Sequence, residues 1–453
     1  MKKALIYSIC GLCLAAGIVF GGMALASSSA GTFKSVVKAS LFADLPLMKG
    51  ENIHYSDVED VGDENYLLCA YDTSLEEYKA YLALLEKNKF TKRVDNGENG
   101  IEGYVYTAHY QKGDLLAVVT YLAKMRETMI TLCKNTAMSD HLFYSDEYVK
   151  SDIPGAKTTL TQMELASAGN SFVFQLKNGH FVLNDGGTPE NLRPLLDYLE
   201  QKAPNGEKPV VEAWIVSHAH MDHMGVLYEL TNHPELGERI SVEEMYFTEA
   251  CDGANEERNG TTMMFATTAN VKIACAVLKT SGGEATPMYR LRTGERYYFD
   301  DITMDVVYTQ DILNYKEWTT SNAQSSVLMY TIEGQKVFIT ADTDYECQMK
   351  MLEMYDDDYF NLTLYQPPHH NGNIFDQFTQ HIQAKTLMCE LLKEHEGPSG
   401  MISRYAQFLN LIAQVEEHFA FGEGGVVYTF PYEVGTSERL PLIDWTMYVV
   451  GAQ

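Results

Sequence analysis

The chain has 453 residues, with 34 basic against 62 acidic side chains and a formal net charge of −28 at pH 7. Such a surface repels polyanions at long range, and no cluster of Lys or Arg interrupts it, which excludes a protein built to hold bulk nucleic acid. The length allows two or three domains and a large core.

At the start, Met1-Lys2-Lys3 precedes an uncharged, apolar or small-residue stretch from Ala4 to Ala26, and Ala24-Leu25-Ala26 offers a small-x-small site before Ser27-Ser28-Ser29. This is the pattern of a signal peptide. The apolar run is also about as long as the roughly 20 residues a bilayer needs, so residues 1–26 read equally as an uncleaved signal anchor. Either reading puts the body of the chain outside the cytoplasm, secreted or held at the membrane by this segment. Residues 27–40 are rich in Ser and Ala and read as a linker.

Residues 41–150 predict a small α+β domain. Asn65–Tyr71 suggests a strand. Asp72-Thr73-Ser74 ahead of Leu75-Glu76-Glu77 is a helix-start signal, and the periodic helix runs to about Lys89, with Tyr78, Tyr81, Leu82 and Leu85 on one stripe. Three strand-like runs follow: Gly103–Tyr110, Leu115–Leu122 and Thr128–Cys133, the first two joined by the turn Gln111-Lys112-Gly113-Asp114. His54 and His109 stand alone and read as structural. With no ligand cluster or nucleophile, this region is expected to dock or position something.

Residues 160–453 hold the chemistry. Val210–Val216 is an apolar run of the kind that forms a buried strand. Directly after it comes Ser217-His218-Ala219-His220-Met221-Asp222-His223-Met224-Gly225. Neutral imidazole and carboxylate are the usual ligands of zinc and its neighbours, and so dense a set is poorly explained by packing. The ligands would sit in the turn at the strand's C-terminal end, and a helix from Asp222 to Leu230 follows. Glu244–Phe247 reads as the next strand. The polar loop Thr248–Gly260 leads into helical spacing from about Thr262 to Leu278; Glu249 and Arg258 are candidate substrate contacts there, weighed against a solvated loop. An amphipathic helix over Ile402–Phe419 and a strand over Gly425–Phe430 complete the pattern. Cys69, Cys133, Cys251, Cys275, Cys347 and Cys389 form no Cys-x-x-Cys pair, and they read as small buried hydrophobes rather than a disulfide framework.

The His-x-His-x-Asp-His run resembles the signature of the metallo-β-lactamase superfamily, and neighbouring segments extend the likeness. Ser171–Leu176 and His180–Gly187 resemble its opening hairpin, which ends on Asp185-Gly186. Ser326–Thr331 and Lys336–Thr343 resemble the hairpin that supplies a metal-bridging aspartate. Leu364–Gly372, with its His-His-x-Gly ending, resembles the last ligand strand in the hydrolase domains of bacterial DNA-uptake channel proteins and of surface phosphorylcholine esterases. The resemblance implies an α/β fold: a four-layer αβ/βα sandwich, here preceded by the small α+β domain.

The resemblance also implies a ligand set. His218 and His220 would bind one metal; Asp222, His223 and His369 would bind the other; Asp342 would bridge them. Asp222 and His370 are the catalytic candidates, His370 as proton donor or substrate contact, weighed evenly against support behind the ligands. Asp185, Asn322 and Asn371 would support the ligands or touch substrate, and His180 reads as a polar residue at the hairpin tip. Where the superfamily usually offers a third histidine to the first metal, this chain has Ser321-Asn322-Ala323-Gln324-Ser325-Ser326, with Asn322 at the corresponding position. The cofactor is therefore two divalent ions, zinc first, with manganese admitted as the alternative by the lower imidazole count. The implied activity is hydrolysis through a metal-bound hydroxide of a small or cell-surface phosphodiester. A lactone, β-lactam or thioester hydrolase is the alternative, and a degenerate binding module at the cell surface is the alternative outside catalysis.

Overall fold

The computed structural model describes residues 42, 45–62, 64–143, 152–248, 262–313, 320–392 and 404–449. The N-terminal residues 1–40, Glu249, Cys251 and Arg258 lie outside the described residues. Among the described residues, no helix is long and apolar enough to cross a membrane.

The first unit runs β1 (His54–Tyr55), β2 (Glu59–Gly62), β3 (Asn65–Tyr71), α1 (Leu75–Lys87), β4 (Thr91–Asp95), β5 (Val105–Lys112), β6 (Leu115–Leu122) and β7 (Glu127–Cys133). Its antiparallel sheet has the order β1-β3-β7-β6-β5-β4, with β2 on β3. The helix begins where the sequence signals it: the Ser74 hydroxyl accepts from the Glu77 N–H, and the Glu77 carboxylate accepts from the Ser74 N–H. Strands β1, β2 and β4 are additions to the expected order. They are short or, in β4, polar and exposed, so the apolar alternation that marks the others is absent.

Alternation in this sheet serves two partners. Leu68, Ala70, Ala117, Val119, Ile130 and Leu132 point under α1. Leu67, Cys69, Leu122 and Met129, on the other face, join a core shared with Val307, Met351, Tyr355 and Tyr359 of the larger unit. Polar ties accompany that contact: Arg290 donates to the Val61 carbonyl (2.7 Å), Arg292 to Asn65 Oδ1 (2.8 Å), and Lys336 pairs with Glu102 (2.7 Å).

The larger unit has two sheets. One contains β8 (Thr159–Gln162), β9 (Ser171–Gln175), β10 (Phe181–Asp185), β11 (Val210–Val216), β12 (Ser241–Phe247) and β13 (Met288–Tyr289), closed at the other edge by β21 (Val426–Thr429) and β22 (Glu438–Arg439). The other runs in chain order through β14 (Arg296–Phe299), β15 (Ile302–Tyr308), β16 (Val327–Ile332), β17 (Gln335–Ile339), β18 (Asn361–Gln366), β19 (Gln383–Leu392) and β20 (Glu417–Phe421). Phe172, Phe174, Val182, Ile215 and Tyr246 face Val306, Leu328, Tyr330, Ile339 and Leu364 between the sheets. Outside the first sheet lie α2 (Leu192–Lys202), α3 (Met221–Asn232) and α4 (Thr262–Val277). Outside the second lie α5 (Tyr345–Met354), α6 (Asp376–Thr379) and α7 (Tyr405–Ile412). The result is the expected four-layer αβ/βα sandwich.

One expectation fails at the C-terminal end. The helix over Ile402–Phe419 is cut to Tyr405–Ile412, and Glu417–Phe421 is a strand that pairs in parallel with β19. Its apolar residues Phe419 and Phe421 alternate with polar or small ones, which suits an edge strand, and pairing outweighs the helical spacing of the preceding turn.

Strands β10 to β13 and β17 to β20 each run parallel, so their C-terminal ends gather at one edge. Open α/β sheets place their sites there, because the loops leaving parallel strands converge at that edge.

Candidate metal centre

Four strand ends supply the site. β10 ends in Asp185, β11 runs into Ser217-His218-Ala219-His220, β17 is followed by Asp342, and β18 by His369-His370-Asn371. Asp222 and His223 sit in the first turn of α3. The helix can come this close only because position 225 is glycine: a Cβ there would lie 2.5 Å from Pro189 Cδ and 2.6 Å from its nitrogen.

Asp185 organises the β11 turn from below. Its carboxylate accepts the Ser217 N–H (2.7 Å) and the Ser217 hydroxyl (2.8 Å), and it faces His223 Nδ1 at 2.9 Å. A carboxylate on one ring nitrogen fixes which nitrogen is left to ligate. Here that is Nε2, which points at Asp342 Oδ1 from 3.1 Å. Ser217 Oγ does the same for His218 by meeting Nδ1 at 3.1 Å. His218 Nε2 then faces His220 Nδ1 at 2.9 Å and Asp342 Oδ2 at 3.7 Å.

Two groups of ligand atoms result, with Asp342 in both. Asp222, His223, Asp342 and His370 form one; His218, His220 and Asp342 form the other. Asp342 is 1% exposed and His218 and His223 are fully buried. His223 Nε2 and Asp342 Oδ1, both buried, face each other at 3.1 Å without a well-aligned hydrogen bond between them. Burying such atoms is costly, and a divalent cation between them would satisfy both. The donor set therefore fits a pair of metal ions.

Electrostatics point the same way. Burial, then the neighbouring His223 and His220, hold His218 well below the usual imidazole range, and burial also lowers His220. Both are thus neutral, the form that ligates. In the other group, burial opposes charge on His370, yet Asp342 and hydrogen bonds to Asp222 and Asp342 push it up to about 10. Against the same burial, His223 and His370 hold the Asp342 carboxyl well below its usual range. The buried Asp342 and the partly exposed Asp222 thus hold protonated imidazoles as counter-ions, a charge that a metal would replace.

The structure brings together seven of the ten residues singled out from the sequence: Asp185, His218, His220, Asp222, His223, Asp342 and His370. It exchanges the expected places of the two adjacent histidines. His370 Nε2 lies 3.0 Å from Asp222 Oδ2 and 3.5 Å from Asp342 Oδ2, with the side chain 8% exposed. The His369 side chain is 43% exposed, and its Nε2 stays 3.9 Å from Asp342 Oδ2. The cause is the backbone: His369, His370 and Asn371 all have positive φ, at 52°, 51° and 66°, and this left-handed turn rotates the second ring inward. Asn371 follows it into the core, where neither of its side-chain polar atoms has a protein partner. Asn322 is buried, but Ser321 occupies the position facing the first ligand group: its hydroxyl meets His220 Nε2 at 2.9 Å.

Three contributors escaped the sequence reading. Ser321 is one. Gln366, at the end of β18, accepts the N–H groups of Thr340 and Ala341 at 2.7 Å each and so pins the turn that carries Asp342. Its amide also donates to Glu390 Oε2 (2.8 Å), a fully buried carboxyl whose nearest oxygen stands 3.9 Å behind His370 Nδ1. Burial keeps Glu390 well above the usual carboxyl range. A signal was available: Glu390 is the one acid in the apolar run Leu387–Leu392.

Residues 166–374 match the family model of the metallo-beta-lactamase superfamily. Those residues are a metallo-β-lactamase superfamily domain. The match spans Asp185, the His218–His223 turn, Asp342 and His370, and it ends before Glu390. No curated protein matches the chain. Among solved structures, Zn(2+)-bound PqqB from Methylobacterium extorquens is similar at 9% identity and a TM-score of 0.36, over 58% of this chain and 98% of that one. Tm1679, a metal-dependent hydrolase of the β-lactamase superfamily, is similar at 11% identity and a TM-score of 0.33, over 59% and 98%. A metallo-β-lactamase from Hirschia baltica is similar at 10% identity and a TM-score of 0.22, over 52% and 71%. The metallo-β-lactamase domain, with His/Asp groups able to hold a divalent metal, makes this a metallo-hydrolase.

Proposed function

We propose that the chain is an extracytoplasmic two-metal phosphodiesterase acting on a small or surface-attached phosphodiester. The observation that carries the reading is Asp342, shared by two ligand groups that differ in kind. One group adds Asp222, His223 and His370; the other has only His218 and His220, with the Ser321 hydroxyl where a further imidazole would complete it. Fewer imidazoles and more oxygen suit hard oxygen-rich substrates and admit manganese beside zinc. Bound metals would supply an acidified water and positive charge for the phosphoryl oxygens.

The chain's own residues do the rest. Asp185 and Ser217 fix the rings of His218 and His223. Glu390 and Gln366 back His370 and the Asp342 turn. His369, exposed beside Asp342, takes the role of proton donor to the leaving oxygen. Asn371 is the candidate for a direct contact to substrate or to a ligand. The location outside the cytoplasm rests on residues 1–26, and the acidic surface argues against bulk nucleic acid.

The test is turnover of bis(p-nitrophenyl) phosphate by residues 31–453 loaded with zinc, then with manganese, against Asp222→Ala. Metal-dependent turnover that the variant loses is the expected result. No turnover above the variant with either metal would shift the reading to lactone, β-lactam or thioester substrates, or to a binding module.

A further inference from the structure

An aromatic and cationic stack stands where two ligand-bearing segments meet. Tyr345 opens α5, three residues after Asp342; Phe375 lies five residues after His370. The two segments are tied together here. Gln348 donates to the carbonyls of Thr343 (3.0 Å) and Asn373 (2.9 Å), and Asn373 donates back to the Thr343 carbonyl (3.3 Å). The rings of Tyr345 and Phe375 meet edge to face with centroids 5.0 Å apart, and Tyr345 is 41% exposed. On the Phe375 ring lies Arg404, its guanidinium carbon 3.9 Å from the ring centroid.

Among the described residues, Arg239, Arg290, Arg292, Arg296 and Arg439 are each paired with a carboxylate, whereas Arg93, Arg126, Arg193 and Arg404 are not, and of these four Arg404 is the one that lies on an aromatic ring. Among the described residues, Arg404 has none within ion-pair distance; its one contact of this kind is the Phe375 face. Stacking fixes the plane and leaves the edge donors of the fork free, the arrangement that grips a phosphate through two parallel hydrogen bonds.

We propose that Arg404, held by Phe375 and flanked by the exposed Tyr345 ring, is an anion-recognition subsite, and that the substrate is a phosphodiester bearing a second, terminal phosphate. This rests on the phosphodiesterase reading. The scissile group would lie at metals held by the two ligand groups that share Asp342, and the terminal one on Arg404, so specificity would lie in the spacing between two anionic groups. Tyr345 offers an apolar surface to whatever links them.

The test compares the dinucleotides ApA and pApA, which differ only by a terminal phosphate, on the zinc-loaded chain. Wild type is expected to prefer pApA in kcat/KM by roughly tenfold or more, the size of a charge-assisted fork. Arg404→Ala should bring the ratio to about one. Arg404→Lys, which keeps the charge and loses the fork, should fall between the two and guards against a folding defect in the alanine variant. Equal loss on both dinucleotides, or an unchanged ratio, would overturn the subsite. Calorimetric binding of both dinucleotides to zinc-loaded Asp222→Ala, with and without Arg404→Ala, separates the two readings. A binding preference that Arg404→Ala removes, without turnover of either dinucleotide or of bis(p-nitrophenyl) phosphate by wild type, would retain the subsite and refute the phosphodiesterase reading. No binding preference would refute the subsite.

Discussion

At the scale of single residues, the exchange between His369 and His370 changes what each substitution should do. Removing His370 takes a ligand from the group that also holds Asp222, His223 and Asp342, so His370→Ala should lose about one equivalent of bound metal by elemental analysis. His369→Ala should keep its metal and lose roughly 10²-fold or more in kcat, the usual contribution of a positioned proton donor. The reverse pattern would restore the assignment expected from the superfamily resemblance. The charge state gives a further test. In the metal-free chain His370 is pushed up to about 10, so at neutral pH it carries a proton that ligation must expel. Metal uptake should therefore release protons, and affinity should rise as pH rises toward about 10. Calorimetry in buffers of different protonation heat measures this; uptake with no proton release would contradict it.

Among the elements, α3 is the one whose placement is least forgiving. It carries Asp222 and His223 in its first turn and lies against the Thr188-Pro189 backbone at Gly225. Gly225→Ala would gain helix propensity and still destabilise, because the methyl meets backbone rather than a movable side-chain end. Overpacking of this kind costs about 1–3 kcal/mol. A lower Tm together with weakened metal binding is expected, since the helix can relieve the clash only by carrying its ligands away from Asp342. A variant with higher Tm and unchanged metal affinity would show that the contact is looser than it looks.

Over the whole molecule, the first unit behaves as part of the hydrolase rather than as a tethered module. Apart from the exposed edge strand β4, its sheet is covered on both sides: one side is under α1 and the other is in the core with α5 and β15. At the seam, the buried Glu295 accepts from the Tyr297 hydroxyl (2.7 Å) and the Arg292 backbone N–H (2.8 Å), pairs with the largely buried Arg292 guanidinium (3.5 Å) and faces the buried His109 Nε2 (3.2 Å). Glu295→Ala leaves Arg292 without this counter-charge, and breaking a buried pair in that way costs about 3–5 kcal/mol. Denaturant unfolding should show that loss in a single transition shared by both units. Two separated transitions would mean that the units fold independently.

The chain's local chemistry determined the larger part of this architecture. Period-two and period-3.6 apolar patterns placed α1, β3, β5 to β7 and the strands that carry the ligands, because a buried face imposes its spacing on the sequence. The dense His218–His223 run fixed the candidate site, since no packing role calls for three imidazoles and a carboxylate in one turn. Tertiary structure decided the rest. Which of two adjacent histidines turns inward depends on the left-handed backbone at 369–371, which spacing cannot distinguish. Whether Glu417–Phe421 is helix or strand depends on the free edge of β19. Ser321, Gln366 and Glu390 become part of the site only because strands far apart in sequence end at one edge, and Arg404 meets Phe375 only through the tertiary packing of segments 29 residues apart. Polar residues of this kind carry no periodic signal; their roles come from what the fold places beside them.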